Sequence, residues 1–167
     1  MALRARSIVA GTLTMAGLLL AAGRAQAQSS PSTRDSVLTV VQQFFQAMEA
    51  KDTVRLHAIM VTSGHTLAVI SRNDTTRISV RPGSEFITNL PGSSQHWRER
   101  IWEPQVLIHE TLAVVWAPYD FYLDSTFSHC GVDSFTLVRL ADGWKIVDAA
   151  FTIEPVGCTP SPLGPRT

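Results

Sequence analysis

"LVRLADGWKIVDAAF", Leu137 to Phe151, is the stretch that decides the fold. Two β-rich runs flank Asp142-Gly143, a pair in which both residues tolerate the positive φ of a type I′ turn. The stretch therefore predicts a tight antiparallel hairpin. Upstream lie two more runs of the same kind, "TLAVVWAPYDFYLD" (Thr111 to Asp124) and "TFSHCGVDSFTLVRL" (Thr126 to Leu140), divided by Asp124-Ser125. Before them comes "HWRERIWEPQVLIHE" (His96 to Glu110), and after them the final run extends as "WKIVDAAFTIEP" (Trp144 to Pro155). Together they predict a long antiparallel meander.

Towards the N-terminus, "TLAVISRND" and "TTRISV" predict a shorter hairpin that turns near Asn73-Asp74. "RPGSEFITNL" follows, where Pro82-Gly83 turns the chain and Ser84 can cap a helical turn carrying Phe86, Ile87 and Leu90. In "DSVLTVVQQFFQAMEAKD" (Asp35 to Asp52) the apolar period becomes helical. Val37, Val41, Phe44, Phe45 and Met48 recur at steps of three and four, which marks an amphipathic helix with Ser32 or Asp35 as its cap. Asp52 can cap a second helix, Thr53 to Met60. The order predicts an α+β fold, a curved antiparallel sheet wrapped over N-terminal helices.

These residues resemble a known family. "FFQAMEAKD" with the short helix after it, and the hairpin "LVRLADGWKIVDAAF", are similar to the nuclear transport factor 2-like superfamily, in particular its SnoaL-like and lumazine-binding-like bacterial members. The resemblance runs from Asp35 to Glu154, and its most specific piece is "DGWKI" (Asp142 to Ile146). It implies a cone-shaped half-barrel with an apolar cavity between sheet and helices, and a homodimer formed through the outer sheet face. The superfamily includes cyclases, isomerases and dehydratases alongside members with no known reaction, so fold does not decide function. No catalytic motif of the family is carried onto positions of this chain.

The first 27 residues stand apart from the fold. Arg4 and Arg6 form a positive start, Ser7 to Ala22 an apolar stretch, and Ala25-Gln26-Ala27 a small-residue cleavage site, the pattern of a secretory signal. The apolar stretch is shorter than the ~20 residues a membrane span needs. Cleavage after Ala27 leaves Gln28 to Arg34 as a flexible lead, one domain from Asp35 to Cys158, and an irregular tail from Thr159 to Thr167. Such a product is exported, periplasmic or secreted, without a membrane partner. Three arginines leave with the signal and no acid does, so 11 basic residues remain against 14 acidic ones. A chain so balanced lacks the basic face that nucleic acid requires.

Strand parity selects the residues that would face a cavity. With Asp142-Gly143 as a two-residue turn, Leu137 pairs with Asp148 and Phe135 with Ala150; with Asp124-Ser125 as another, Asp120 pairs with His129 and Trp116 with Asp133. One face then carries Trp116, Asp120, Tyr122, His129, Asp133, Phe135 and Asp148, an apolar wall with a few ionisable groups. Pro118 cannot donate to a ladder, and a one-residue slip there would turn Asp120 outward and bring Tyr119 and Phe121 in.

Each residue has a functional and a plain reading. Asp120 and His129 can form an acid-base dyad, the carboxylate raising the imidazole's pKa, or a cross-strand polar pair. Asp148 can be a buried general base or a hydrogen-bonded structural acid, and Asp133 faces the same choice. Trp97, Trp102, Trp116 and Trp144 can stack on a planar ligand or simply pack the core. His57, His65, His96 and His109 read as solvated surface groups.

No CxxC, HExxH or paired-histidine spacing points to a metal, and no GxGxxG, GxxxxGK[ST] or GxSxG points to phosphate binding or serine hydrolysis. No cofactor is implied. Cys130 and Cys158 are the two cysteines of the chain, and in an exported protein they read as a disulfide. Parity puts Cys130 on the face opposite His129, so the adjacent pair does not act as a nucleophile with its base. The chain reads as a small-molecule-binding protein whose partner is apolar or aromatic. The rivals are a cofactor-independent isomerase, cyclase or dehydratase using Asp120, His129 and Asp148, and a dimerising module whose cavity is packed solid.

Overall fold

The computed structural model describes residues 32–72 and 75–164; the signal segment and its cleavage site lie outside the described residues. Helix α1 spans Thr33–Ala50 and α2 spans Thr53–Ile59. The first helix begins two residues earlier than its apolar pattern suggests, because Ser32 and Asp35 cap it together. Ser32 Oγ accepts from the Asp35 amide at 3.1 Å, and the Asp35 carboxylate accepts from the Ser32 amide at 3.3 Å, a reciprocal capping box. Asp52 caps α2 by accepting from the Arg55 amide at 2.9 Å.

Seven strands follow: β1 (Met60–Arg72), β2 (Thr75–Pro82), β3 (Trp97–Ile101), β4 (Gln105–His109), β5 (Leu112–Leu123), β6 (Thr126–Leu140) and β7 (Gly143–Ile153). A short helix α3 (Gly83–Asn89) and a 3-10 turn (Leu90–Gly92) lie between β2 and β3. Ser84 does not cap α3, which starts after Pro82 without a side-chain cap. The sheet order is β2-β1-β7-β6-β5-β3, with β4 also on β5. All pairings are antiparallel except β1 with β7, so the sheet is mixed rather than wholly antiparallel.

The run from His96 to Glu110 is two strands and not one. β3 pairs with Tyr119 to Leu123 and β4 with Leu112 to Trp116 along the same edge of β5. Between them Glu103 adopts φ 45°, and the Trp102 amide reaches the Pro118 carbonyl at 3.2 Å. A strand residue points its N–H and C=O to the same side. The missing donor of Pro118 therefore falls where the neighbouring strand is already interrupted.

Two one-residue shifts decide which side chains of β5, β6 and β7 face the hollow. The last hairpin turns at Ala141-Asp142, one residue earlier than expected, pairing Leu140 with Gly143, whose φ of 119° suits glycine. Val147 is then an unpaired extra residue, since Leu137 faces Ile146 while Thr136 faces Asp148. In β6 the extra residue is Ser128, between Tyr122 opposite Phe127 and Phe121 opposite His129. Each bulge bends its strand and inverts the faces beyond it.

The helices fill the hollow of the curved sheet. Val37, Val41, Phe44, Phe45 and Met48 of α1 are buried with Phe135, Leu137, Trp144 and Ile146. Phe44 and Phe45 meet Phe135 edge-on at 5.5 and 5.7 Å, and Phe44 stacks on Phe86 at 5.7 Å. Aromatic pairs of this geometry contribute about 0.5–1.5 kcal/mol each beyond their buried area.

Candidate functional site

Above the aromatic cluster the hollow stays open as a cavity of about 570 Å³. Phe44, Phe86, Trp97, Phe121, Phe135 and Phe151 supply much of its wall. The module with a solidly packed interior therefore does not describe this molecule.

Four expected site residues lie elsewhere. The shift at Ser128 places Asp120 opposite Cys130 instead of His129, on the outer face. There Asp120 is buried and receives the Arg100 guanidinium through two nitrogens, Nε at 2.9 Å and Nη2. Tyr122 shares that outer site, its ring 5.3 Å from the guanidinium and its hydroxyl accepting from Arg100 at 3.3 Å. Trp116 also points outward and is half exposed. The shift at Val147 turns Asp148 away from the cavity, where its carboxylate accepts from the His65 amide at 3.0 Å. An Asp120–His129–Asp148 acid-base set is thus not assembled. Tyr119 and Phe121 face inward, the outcome that a slip in this ladder implies, although the slip arises at Ser128 and Pro118 keeps register with Val132.

Three expected residues do line the cavity: His129, Asp133 and Phe135. His129 stacks on Phe121 at 4.7 Å and stands edge-on to Tyr119 at 5.8 Å. Its Nδ1 lies 3.0 Å from Ser128 Oγ. With Asp120 across the sheet, burial dominates and lowers the histidine's pKa, so the ring is neutral near pH 7.

One strongly perturbed group is one that parity overlooked. Glu99 on β3 shares the inward face with Trp97 and hydrogen-bonds Asp133 on β6, reaching over β5. The alternation in "WRERI" carries this signal, since a glutamate in step with Trp97 and Ile101 must leave solvent with them. Burial pushes the Asp133 carboxyl up to about 7, and the hydrogen bond from Glu99 partly opposes that rise. Burial and the neighbouring Asp133 charge push Glu99 well above the usual carboxylate range. Two acids in an apolar pocket cannot both ionise cheaply, so they share a proton. Asp133 is 2 % exposed, and apart from the Glu99 carboxyl no described residue is a donor to its Oδ2.

Tyr119 completes the floor. Its hydroxyl donates to the Thr152 carbonyl at 2.5 Å, and burial raises its pKa so that it stays neutral. Gly131 makes this crossing feasible, because a Cβ there would stand 2.2 Å from the Thr152 carbonyl oxygen and 2.8 Å from the Tyr119 ring.

On the outer face a disulfide joins Cys130 to Cys158 and holds the tail beyond it against the sheet, where Arg100 donates to the Gly164 carbonyl at 3.0 Å. Cys130 and His129 therefore point to opposite faces. No metal-binding cluster of three or more His, Cys, Asp or Glu occurs among the described residues.

A family model described as "Putative lumazine-binding" matches residues 32–152, which include α1, α2, α3, the acid pair and all of the cavity lining except Ile153. The chain belongs to that family. No curated relative matches it, but solved structures share the architecture. A nuclear transport factor 2-like protein from Cytophaga hutchinsonii is 14% identical with TM-score 0.59, covering 72% of this chain and 97% of its own. A protein of cystatin-like fold from Novosphingobium aromaticivorans is 12% identical with TM-score 0.58, covering 72% and 81%. One from Streptomyces avermitilis, described as a "putative dehydratase", is 15% identical with TM-score 0.55, covering 74% and 95%. At these identities the likeness is one of fold: the chain shares the nuclear transport factor 2-like, cystatin-like architecture of these proteins.

Proposed function

We propose that this member of the lumazine-binding family is an exported protein that captures a small, mostly apolar or aromatic molecule in the cavity between α1 and the sheet. The observation that carries this reading is the open 570 Å³ space, walled by aromatic rings and holding an unsatisfied buried acid. Pockets for small ligands combine an apolar wall with a few convergent polar groups in this way. The secretory pattern in residues 1–27 supports export to the periplasm or medium. A homodimer through the outer sheet face is supported by Leu107, Leu112 and Trp116, which expose apolar surface there.

Catalysis is the second reading, favoured by one observation. The Glu99–Asp133 pair can take up and release a proton near neutrality, beside a neutral His129, as an isomerase or dehydratase needs. The likeness to the Streptomyces avermitilis protein adds only fold to that reading.

Titration with the neutral fluorophore N-phenyl-1-naphthylamine tests the binding reading. One saturable site per chain, with quenching of Trp97, is the expected result. Absence of saturable binding would overturn it.

A further inference from the structure

Among the described residues the acid pair has no compensating cation inside the cavity. Arg81 is the single lysine or arginine among the described residues lining it, and Arg81 faces Glu85 at 3.3 Å in solvent. Arg100 lies across the sheet and is committed to Asp120. His129 is neutral. Yet Asp133 Oδ2 is buried without a donor, and its hydrogen-bonded neighbour Glu99 can supply one only while it keeps its own proton. What the site lacks is a donor that also carries positive charge.

The surroundings suit such a group. Trp97, Tyr119 and Phe121 border the cavity on the strands that also carry or flank the pair. Aromatic faces attract a desolvated cation through their quadrupoles, and carboxylates accept from amidinium or ammonium N–H groups in short, strong bonds. The rest of the wall is apolar, so the remainder of the molecule is a ring or hydrocarbon body. An anionic ligand would meet like charge as soon as the pair ionises.

We propose that Glu99 and Asp133 form the recognition point for a protonated amine or amidinium carried on an apolar, ring-containing ligand. This rests on the cavity being a binding site, and it names the class of ligand taken there. The bound cation takes the place of the proton that the pair shares when the cavity is empty. Binding therefore releases a proton and tightens as pH rises through about 7. The other titratable or charged groups near the pair are Tyr119 on β5, His129 on β6, Glu154 beyond β7, Arg81 on β2 and, behind the sheet, Asp120.

Benzamidine and benzamide, nearly identical in shape and differing in charge, provide the test by calorimetric titration. Benzamidine is expected to bind at least tenfold more tightly than benzamide at pH 8. That preference should shrink at least threefold at pH 6, and buffers of different ionisation enthalpy should show protons released on binding. The double variant Glu99→Gln, Asp133→Asn should lose the preference while keeping the wild-type far-UV circular dichroism and a cooperative melt, which report an intact fold. Asp133→Asn alone should reduce the preference at least threefold. Equal binding of the two probes by the wild type, or a preference that survives in the double variant, would overturn the inference and leave the cavity reading standing. Failure of N-phenyl-1-naphthylamine to bind the wild type would overturn both.

Discussion

Glu99 hydrogen-bonds Asp133 across β5, joining two strands that are not neighbours in the sheet. Both side chains line the cavity on the inward face of the sheet. A pair of acids buried there costs stability, because charge on either one is poorly solvated.

That cost has a definite pH signature. Asp133 has a folded pKa of about 7, above its unfolded value of 3.8, so the folded state holds more protons than the unfolded one between those limits. Its contribution to stability is therefore greatest below about pH 4, falls as pH rises towards 7, and levels off above it. Asp133→Asn should remove most of this fall and raise stability at pH 8 by a few kcal/mol. Denaturant melts at pH 5 and pH 8 check it; a wild type that gains stability between those values while the variant does not would contradict the burial of the pair.

The outer ion pair should behave in the opposite way. Asp120→Ala leaves Arg100 largely buried without its acid, a loss of about 3–5 kcal/mol. Because both groups lie outside the cavity, affinity for N-phenyl-1-naphthylamine should change less than twofold in the folded fraction. A large loss of affinity with little loss of stability would restore Asp120 to the site.

Gly131 is required by the crossing of Tyr119 over to Thr152. Gly131→Ala should destabilise by roughly 1–3 kcal/mol through overpacking. Tyr119→Phe, which removes only the hydroxyl, should cost about 1 kcal/mol. Thermal melts of the two variants order these effects, and a neutral Gly131→Ala would show that the rings do not approach so closely.

The staple between Cys130 and Cys158 closes a loop with a sequence separation of 28. In the chain-entropy account such a loop contributes roughly 3–4 kcal/mol. Titration of the native, non-reduced protein should find no free thiol, and Cys158→Ser should lower Tm markedly. Two free thiols would contradict the bond.

Much of the architecture was legible in residue periodicity. The stripe from Val37 to Met48 marked α1, and alternation in the four C-terminal runs marked the strands, because burial on one side of a helix or sheet writes its period into the chain. The faces of the site were harder to read, for a specific reason. Ser128 and Val147 are ordinary strand residues in sequence, and nothing local marks them as bulges. They are set by tertiary geometry. Gly64 of β1 passes so close to Val147 that a Cβ there would lie 1.7 Å from its carbonyl oxygen. Each bulge inverted the side chains beyond it, which is why Asp120 and Asp148 were expected inside and are not. His129 and Asp133 both lie beyond Ser128 on the same strand, so they kept a common face. Glu99 was readable from its alternation with Trp97 and Ile101, but its meeting with Asp133 depends on sheet curvature.

The space above Phe135 is the proposed ligand site. Ala68 lines it from β1, and Ala68→Trp would fill part of it with an indole while leaving the acid pair and the helix-facing core in place. The decisive measurement is a titration of N-phenyl-1-naphthylamine into wild type and Ala68→Trp, with Tm recorded for both. One saturable site is expected in the wild type, weakened at least tenfold in the variant at a nearly unchanged Tm. Equal affinity in the two proteins would contradict it.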